Sequence, residues 1–209
     1  DNTPQAIKAL ARQDARIIPI LLKDNGGTYV AKNHGRAIAK WEFITCQDSD
    51  DWAHPQKLAS LLEVLLEDEN LIGAECGHVR ISKAQGIQRR VQGYLKPDAS
   101  SFMYRREIVD NSVGFYDSVR AGADGEFKLR LIRYFGANAF KFHKALLSIV
   151  EWAEGTLSGS GSEYAISSFG VFSPARLEYR QRFNASHEYG LFEQGRSALY
   201  RPQNPEKNV

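Results

Sequence analysis

Short apolar runs alternate with helical patterns through the first half of the chain, and this alternation most restricts the fold. Residues 17–22 and 43–46 are short and almost continuously apolar, which is typical of strands buried on both faces. Apolar side chains recur at helical spacing over residues 3–15, over residues 29–40 and after Pro55. The pattern predicts an α/β domain with a mostly parallel sheet flanked by helices. In open sheets of that kind, ligands bind beyond the carboxyl ends of the strands.

Charge, hydropathy and cysteine content limit the partners and the cellular compartment that can be expected for the chain. Its 209 residues carry a formal net charge of +2, which is too small to indicate a nucleic-acid partner. No apolar run approaches the roughly 18 residues that a transmembrane helix needs. Cys46 and Cys76 are too few for a disulfide framework, and Cys46 falls in a predicted buried strand. We therefore expect a protein of the reducing cytoplasm.

Three carboxylates crowd the segment that follows the second apolar run. Asp48, Asp50 and Asp51 come directly after residues 43–46, at the predicted carboxyl end of a strand. Carboxylates this close repel one another unless a cation lies between them. Their oxygens are ligands that Mg²⁺ and Mn²⁺ prefer, so the cluster predicts a metal site. The structural alternative is a solvated loop that also caps the next helix.

Two other acidic motifs are excluded by the residues that follow. A calcium loop of the EF-hand type starting at Asp48 requires an oxygen ligand and then glycine at its fifth and sixth positions, where the chain has Trp52 and Ala53. A phosphatase with an aspartyl-phosphate intermediate usually has Thr or Val where Trp52 stands. Neither class therefore explains the cluster.

The segment around the acidic cluster, residues 25–62, resembles the core of the family 2 glycosyltransferases, which have the GT-A fold. Members of that family show Asn-x-Gly, then Ala-Arg-Asn-x-Gly, then a strand ending in Asp-Ser-Asp-Asp with Pro and Lys-Leu behind it. Lys32 replaces the usual arginine, which keeps the cation and loses the bidentate guanidinium fork. The matching residues are Asn25 and Gly27, residues 31–35, residues 48–51, Pro55, Lys57 and Leu58.

A second segment, residues 100–136, resembles the part of the same family that faces the acceptor. An Arg-Arg-Glu helix start leads to a Gly-Phe segment with an Asp, and then to an acidic residue that opens a helix carrying an arginine. The family usually has Glu-Asp at that helix start, and this chain has Ala123 and Asp124. Residues 155–158, Gly-Thr-Leu-Ser, loosely resemble a later Ser-Leu-Ser or Ser-Leu-Thr segment near the acceptor site.

The resemblance implies a domain division and an incomplete amino-terminal half. Residues 1–140 are the predicted glycosyltransferase core, and residues 141–209 are predicted to be a carboxyl-terminal extension that packs on the core and ends in a flexible tail. In the family, a strand, a helix and a second strand ending in Asp-Asp-x-Ser-x-Asp-x-Thr precede this point, and residues 1–3 match only the end of that motif. The expected fold is GT-A-like, Rossmann-related and N-terminally incomplete.

The resemblance also implies which residues bind the donor of an inverting sugar transfer. Asp50 and Asp48 are expected to bind Mn²⁺ or Mg²⁺, and Asp50 is the better candidate for a direct ligand. Asp48, Lys32 and Asn33 are expected to contact the nucleotide-sugar, for which a UDP-sugar is the preferred choice. The metal would neutralise the charge that builds on the leaving nucleoside diphosphate.

On the acceptor side, the resemblance points to a carboxylate that acts as general base. Asp124 is the expected base, with Glu126 as the second choice. The structural alternative for Asp124 is an N-cap of a helix that starts near Glu126. Trp52 and Glu126 are candidate residues on the acceptor side.

The implied acceptor is a saccharide or a lipid-linked molecule, in polysaccharide or glycoconjugate synthesis. A lipid-linked acceptor would place the protein at the inner face of the membrane. The alternative function is a catalytically incomplete domain that serves as a scaffold or a sugar-binding module. The missing strands favour that alternative, whereas the presence of Asp48, Asp50 and Asp124 favours an enzyme.

Overall fold

A computed structural model describes residues 2–83, 86–88, 93–153, 155–159, 161–167 and 170–188. The helices are α1 (Thr3–Gln13), α2 (Thr28–Ile38), α3 (Lys57–Glu67), α4 (Arg106–Ser112), α5 (Ala123–Phe135) and α6 (Pro174–Glu188). The strands are β1 (Phe43–Ile44), β2 (Trp52–Ala53), β3 (Gly73–Ser82), β4 (Gly86–Ile87), β5 (Lys96–Pro97), β6 (Met103–Arg105) and β7 (Phe140–Glu151). Two 3₁₀ turns are formed by Ala99–Ser101 and Ala137–Ala139.

One mixed sheet organises the fold. Its strands follow the order β1-β6-β3-β7-β2, and β4 and β5 also pair with β3. The strands β3 and β7 run parallel, from Gly73 opposite Phe140 to Ile81 opposite Glu151. The other described pairs are antiparallel. The α/β class is confirmed, but the sheet is mixed and not mostly parallel, because hydrophobic patterns report burial and not the direction of a neighbouring strand.

Helices cover both faces of the sheet. On one face, α5 buries Phe127 and Leu131 in an aromatic-rich cluster. On the other face, α3 buries Leu61 and Leu65 against Ala74 of β3. The predicted leucine stripe of α3 is thus partly confirmed. Two of its members, Leu58 and Leu66, are mostly exposed.

Residues 17–22 do not form the predicted buried strand. Ile18 is 63% exposed and Leu21 is 44% exposed. No strand of the described sheet includes or pairs with this segment. An apolar run becomes a strand only where a neighbour takes up its backbone N–H and C=O groups, and the pattern of side chains does not show whether that neighbour is present.

The sheet does not divide at residue 140, where the sequence predicted a boundary between core and extension. Strand β7 begins at Phe140 and lies between β3 and β2, so residues 140–151 complete the centre of the sheet. Helix α6 then docks on α5, where Arg133 donates a hydrogen bond of 3.0 Å to Asn184. The predicted flexible tail, residues 201–209, lies outside the described residues.

Candidate active site

An open cleft lies between the acidic loop that follows β1, the first turn of α5 and the segment that follows β7. The cavity has a volume of about 310 Å³. Its walls include Lys32, Asp48, Asp50 and Asp124, all of which were singled out from the sequence, together with Asp51. The fold therefore brings the acidic cluster and the predicted base into one site from separate parts of the chain.

Lys32 is paired with the acidic cluster. Its Nζ lies 2.7 Å from Oδ1 of Asp48. Burial is the largest single effect and would lower the pKa of Lys32, but the charge and hydrogen bond of Asp48, together with the charges of Cys46 and Asp124, outweigh it and the pKa is raised. Lys32 therefore stays charged and its first partner is Asp48. The predicted contact with a donor phosphate remains a prediction.

Asp51 shows that the cluster holds more negative charge than its surroundings compensate. Burial, and then the charges of Asp48, Asp50 and Asp98, raise the pKa of Asp51 to about 7. Among the described residues, no group of three or more His, Cys, Asp or Glu side chains is arranged to enclose a metal ion. A divalent cation would therefore take one or two carboxylates and complete its shell with phosphate oxygens and water, which is how Mg²⁺ usually binds. The uncompensated negative charge and the carboxylate oxygens of the acidic cluster therefore fit a divalent cation such as Mg²⁺ or Mn²⁺.

The raised pKa of Asp51 makes stability depend on pH with a definite sign. The folded pKa of about 7 lies above the ordinary value of 3.8, so the folded protein binds the proton more tightly and loses stability as the pH rises from about 4 to 7. We expect Asp51→Asn to raise Tm by about 2–4 °C at pH 8, after allowance for solvent screening, and to change it little at pH 4. Asparagine still accepts the hydrogen bond from the backbone of Glu151. Thermal melts in metal-free buffer check this, and equal Tm differences at pH 4 and pH 8 would contradict it.

The buried side chain of Lys57 holds the acidic loop, residues 48–51, in place through Gln47. Lys57 donates a 3.0 Å hydrogen bond to Oε1 of Gln47, and Nε2 of Gln47 donates to the backbone carbonyls of Asp48 and Asp51. Lys57 also lies 3.5 Å from Asp98, which is itself buried. Burial alone would raise the pKa of Asp98, but hydrogen bonds from serine hydroxyls and the charge of Lys57 outweigh it and lower the pKa. The shape of the loop is therefore set before any ligand arrives.

Asp124 lies in the first turn of α5 and is held by a tyrosine. Helix α5 begins at Ala123, and Gly122, with a φ of 92°, occupies the N-cap position. Asp124 is therefore not the N-cap, which was the structural alternative for this residue. The hydroxyl of Tyr29 donates a 2.8 Å hydrogen bond to Oδ1 of Asp124 and accepts one of 3.2 Å from the backbone N–H of Gly122.

Tyr29 acts only as a donor toward Asp124. Burial, and then the charge of Asp124, raise the pKa of Tyr29 well above its ordinary value. The phenol therefore keeps its proton at all ordinary pH values. Tyr29 engages Oδ1 of this half-buried carboxylate, and Asp124 lines the cleft.

Asn33 is held by the protein backbone, and its predicted contact with the donor remains a prediction. Its side chain is fully buried. Nδ2 donates a 2.8 Å hydrogen bond to the carbonyl of Tyr116, and Oδ1 accepts one of 3.1 Å from the N–H of the same residue. Both ends of the amide are occupied, so Asn33 fixes the segment that leads to α5 and does not reach the cleft.

The remaining acceptor-side candidates, Glu126 and Trp52, do not line this cleft. Glu126 is fully buried, with Oε2 3.0 Å from Arg130 and Oε1 2.8 Å from His187. Trp52 lies in β2, is half exposed and packs edge-on against His54. Of the two candidate bases, only Asp124 lines the cleft with the acidic cluster; the predicted roles of Asp124, Glu126 and Trp52 remain predictions.

Sequence reasoning did not single out Tyr29, Phe172 or Arg176 as functional. Tyr29 lies one turn before Lys32 on α2, so its place beside the matched Asn-x-Gly segment was the available signal. Phe172 and Arg176 line the cleft from a segment where the resemblance to the family fades. No local motif marks them, since only the tertiary structure brings them to Asp124.

The site and sheet together define an α/β protein of the GT-A-like class. The family described as glycosyl transferase family 2 matches residues 1–122. This match covers more than half of the chain, and the protein belongs to that family.

Two relatives show how far the likeness extends. Glycosyltransferase GlyG of Streptococcus pneumoniae serotype 4 is 33% identical over 69 residues, which are 33% of this chain and 23% of GlyG. The crystal structure of S. aureus TarS 1–349 matches with a TM-score of 0.53 at 16% identity, covering 72% of this chain and 48% of the TarS chain. This second likeness concerns the fold alone. The chain spans less than a quarter of GlyG and about half of the TarS chain.

Among the described residues, no helix is both long enough and apolar enough to cross a membrane.

Proposed function

We propose that the protein moves a sugar from a nucleotide-diphosphate donor to an acceptor hydroxyl, with inversion at the anomeric carbon. The observation that carries this proposal is the shared cleft, whose walls hold the acidic cluster and Asp124. Membership in glycosyltransferase family 2 supports the same reaction class. A fold alone would not, because one fold serves many functions.

The acidic loop is the donor half of the proposed site. Asp50 and Asp48 would hold Mn²⁺ or Mg²⁺, which when bound neutralises the negative charge that develops on the leaving diphosphate. Lys32 holds Asp48 in place and adds a further positive charge beside the phosphates. A UDP-sugar is the preferred donor in this proposal.

The start of α5 is the acceptor half. Oδ2 of Asp124 would accept the proton of the acceptor hydroxyl while the oxygen attacks the anomeric carbon. The bond between that carbon and the diphosphate oxygen breaks, and the nucleoside diphosphate leaves with the electron pair. Inversion follows because attack and departure take place on opposite faces of the sugar.

The biological setting belongs to the same proposal. The acceptor is a saccharide or a lipid-linked molecule in polysaccharide or glycoconjugate synthesis, in the cytoplasm or at the inner face of its membrane.

Calorimetric titration tests the proposed function directly. We expect UDP, and at least one UDP-sugar, to bind at least about 10-fold more tightly with Mn²⁺ than with EDTA, a difference of about 1.4 kcal/mol. Uridine, which lacks the diphosphate, is the matched control and should show no metal dependence. Failure of every nucleotide and nucleotide-sugar to bind under either condition would favour the scaffold or sugar-binding alternative.

The bond from Tyr29 to Asp124 gives a graded prediction for the transfer step. Tyr29→Phe keeps the ring, which packs 5.7 Å from the ring of Tyr116, and removes only the hydroxyl. Without that donor the Asp124 carboxylate is free to rotate, so kcat should fall about 10-fold, equivalent to ~1.4 kcal/mol. The donor Kd should stay unchanged. Tyr94→Phe, at a half-exposed tyrosine, is the control, and an equal loss in both variants would contradict the role of Tyr29.

A further inference from the structure

A second cavity adjoins the donor cleft on the other side of Asp124. Its volume is about 260 Å³, and it lies between the first turn of α5 and helix α6. Asp124, Ile166, Phe172 and Arg176 line both cavities. These four residues therefore form the wall between the cleft and the second cavity, and the Asp124 carboxylate is accessible from both.

The lining of the second cavity is apolar on its faces and polar at one edge. Ile166, Phe172 and Phe183 supply apolar surface. Tyr179 adds its ring, because its hydroxyl is already bound to Asp117 at 2.7 Å. The polar edge is formed by Asp124, Arg176 and Arg180. Nε of Arg176 donates a 2.6 Å hydrogen bond to the carbonyl of Tyr164, and the guanidinium group of Arg180 lies over the ring of Phe172.

Arg176 is held in one orientation and keeps donors for a ligand. A guanidinium group has five N–H donors, and the bond to Tyr164 uses the one on Nε. The Ile166–Phe172 bridge and the bond from the Ser167 N–H to the Val171 carbonyl hold these four residues together beside the cavity. The edge and the apolar faces are therefore built before a ligand binds.

Buried contacts between α5 and α6 keep the cavity at a fixed width. His187 of α6 bonds Glu126 of α5, and Tyr179 of α6 bonds Asp117 ahead of α5. All four side chains are buried. Glu126 also lines the second cavity, but its two carboxylate oxygens are bonded to Arg130 and His187.

We infer that the second cavity is the acceptor subsite and that it takes one pyranose ring of a saccharide acceptor. This inference rests on the proposed function, since it gives Asp124 its acceptor. A pyranose ring has apolar C–H faces and a rim of hydroxyl groups, which match the aromatic faces and the polar edge. A hydroxyl beside Asp124 then points through the shared wall toward the anomeric carbon of the donor.

Other occupants match the lining less well. An acyl or polyprenyl chain would cover the Asp124 carboxylate and the Arg176 guanidinium without offering either a hydrogen bond, which is costly for charged groups. A phosphate group would find Arg176 and Arg180 in the lining, but it would also meet the like charge of the Asp124 carboxylate. Lipid or phosphate portions of an acceptor therefore lie outside this cavity.

Gly125 offers a way to block the second cavity without touching the donor cleft. It lines only the second of the two cavities. A Cβ added at Gly125 meets nothing within 4 Å, so Gly125→Leu extends the wall of the cavity without a clash in the fold. Gly35 in α2 has the same open surroundings and lines neither cavity, which makes Gly35→Leu the matched control.

Saturation-transfer NMR with a panel of methyl glycopyranosides tests the inference, and UDP with Mn²⁺ is titrated in parallel. We expect at least one glycoside to bind the parent protein, to bind at least about 10-fold more weakly to Gly125→Leu, and to bind Gly35→Leu normally. UDP binding should be the same in all three proteins.

If UDP binds but no glycoside does, or if the glycoside signal survives in Gly125→Leu, the subsite is wrong while the proposed function stands. Binding of decyl phosphate that Gly125→Leu removes, without any glycoside binding, would also overturn it. Absence of both UDP and glycoside binding would overturn both proposals.

Discussion

Replacing Asp124 by asparagine is expected to abolish sugar transfer and to leave the fold and donor binding intact. Asparagine has nearly the same volume, and its Oδ1 still accepts the hydrogen bond from Tyr29. It lacks the basic oxygen that takes the acceptor proton, and loss of a general base typically costs about 10²–10⁴ in rate. The measurements are kcat, the donor Kd and Tm, of which only kcat should change.

Two further variants separate a catalytic loss from a structural one. Asp68→Asn changes an exposed carboxylate at the end of α3, away from both cavities, and should leave all three quantities unchanged. Glu126→Gln disturbs a buried carboxylate bonded to Arg130 and His187, and should lower Tm. Transfer at close to the parent rate by Asp124→Asn, together with loss of transfer by a folded Glu126→Gln, would assign the base to Glu126.

The parts of the site that were predictable from the sequence are those that short motifs encode. The carboxylates at 48, 50 and 51 follow an apolar run, and Asp124 opens a helix, so each could be placed on a local element. The family match then joined the two segments. In the structure both segments line one cleft, which neither motif alone could show.

The parts that were not predictable depend on distant partners. Asn33 looks like a ligand-binding amide in its motif, yet the backbone of Tyr116 occupies both of its ends. Residues 17–22 look like a buried strand, yet no described strand pairs with them. Strand β7 was assigned to an extension, because nothing in its own residues tells that β3 is its parallel neighbour. In each case the deciding interaction is made by a segment far away in sequence.

The second cavity extends the same principle to the acceptor. Its wall combines Asp124 from a recognisable motif with Phe172 and Arg176 from a segment without one. A shared reaction requires the donor residues to follow a family pattern, whereas acceptors differ between proteins of one fold. The region where the resemblance fades is therefore the region in which the specificity of this protein should be sought.

The carboxylate of Asp50 is expected to provide most of the metal dependence of nucleotide binding. Asp48 is already engaged by Lys32 at 2.7 Å, and Asp51 has a pKa of about 7 and is partly protonated at neutral pH. Asp50 is exposed to the cleft, and among the described residues none of the ion pairs includes it. It is therefore the carboxylate that a divalent cation can take with the smallest loss of existing interactions.

Asp50→Asn should thus remove the gain in UDP affinity that Mn²⁺ gives, at least about 10-fold or ~1.4 kcal/mol, and should not weaken the binding measured in EDTA. Asp48→Asn gives a contrasting result on the same loop. It releases Lys32 from its carboxylate, so the lysine becomes available to the diphosphate and binding in EDTA should become tighter. Calorimetric titration of both variants with UDP, with and without Mn²⁺, distinguishes the two roles. An unchanged Mn²⁺ dependence in Asp50→Asn would show that the cation does not use this carboxylate.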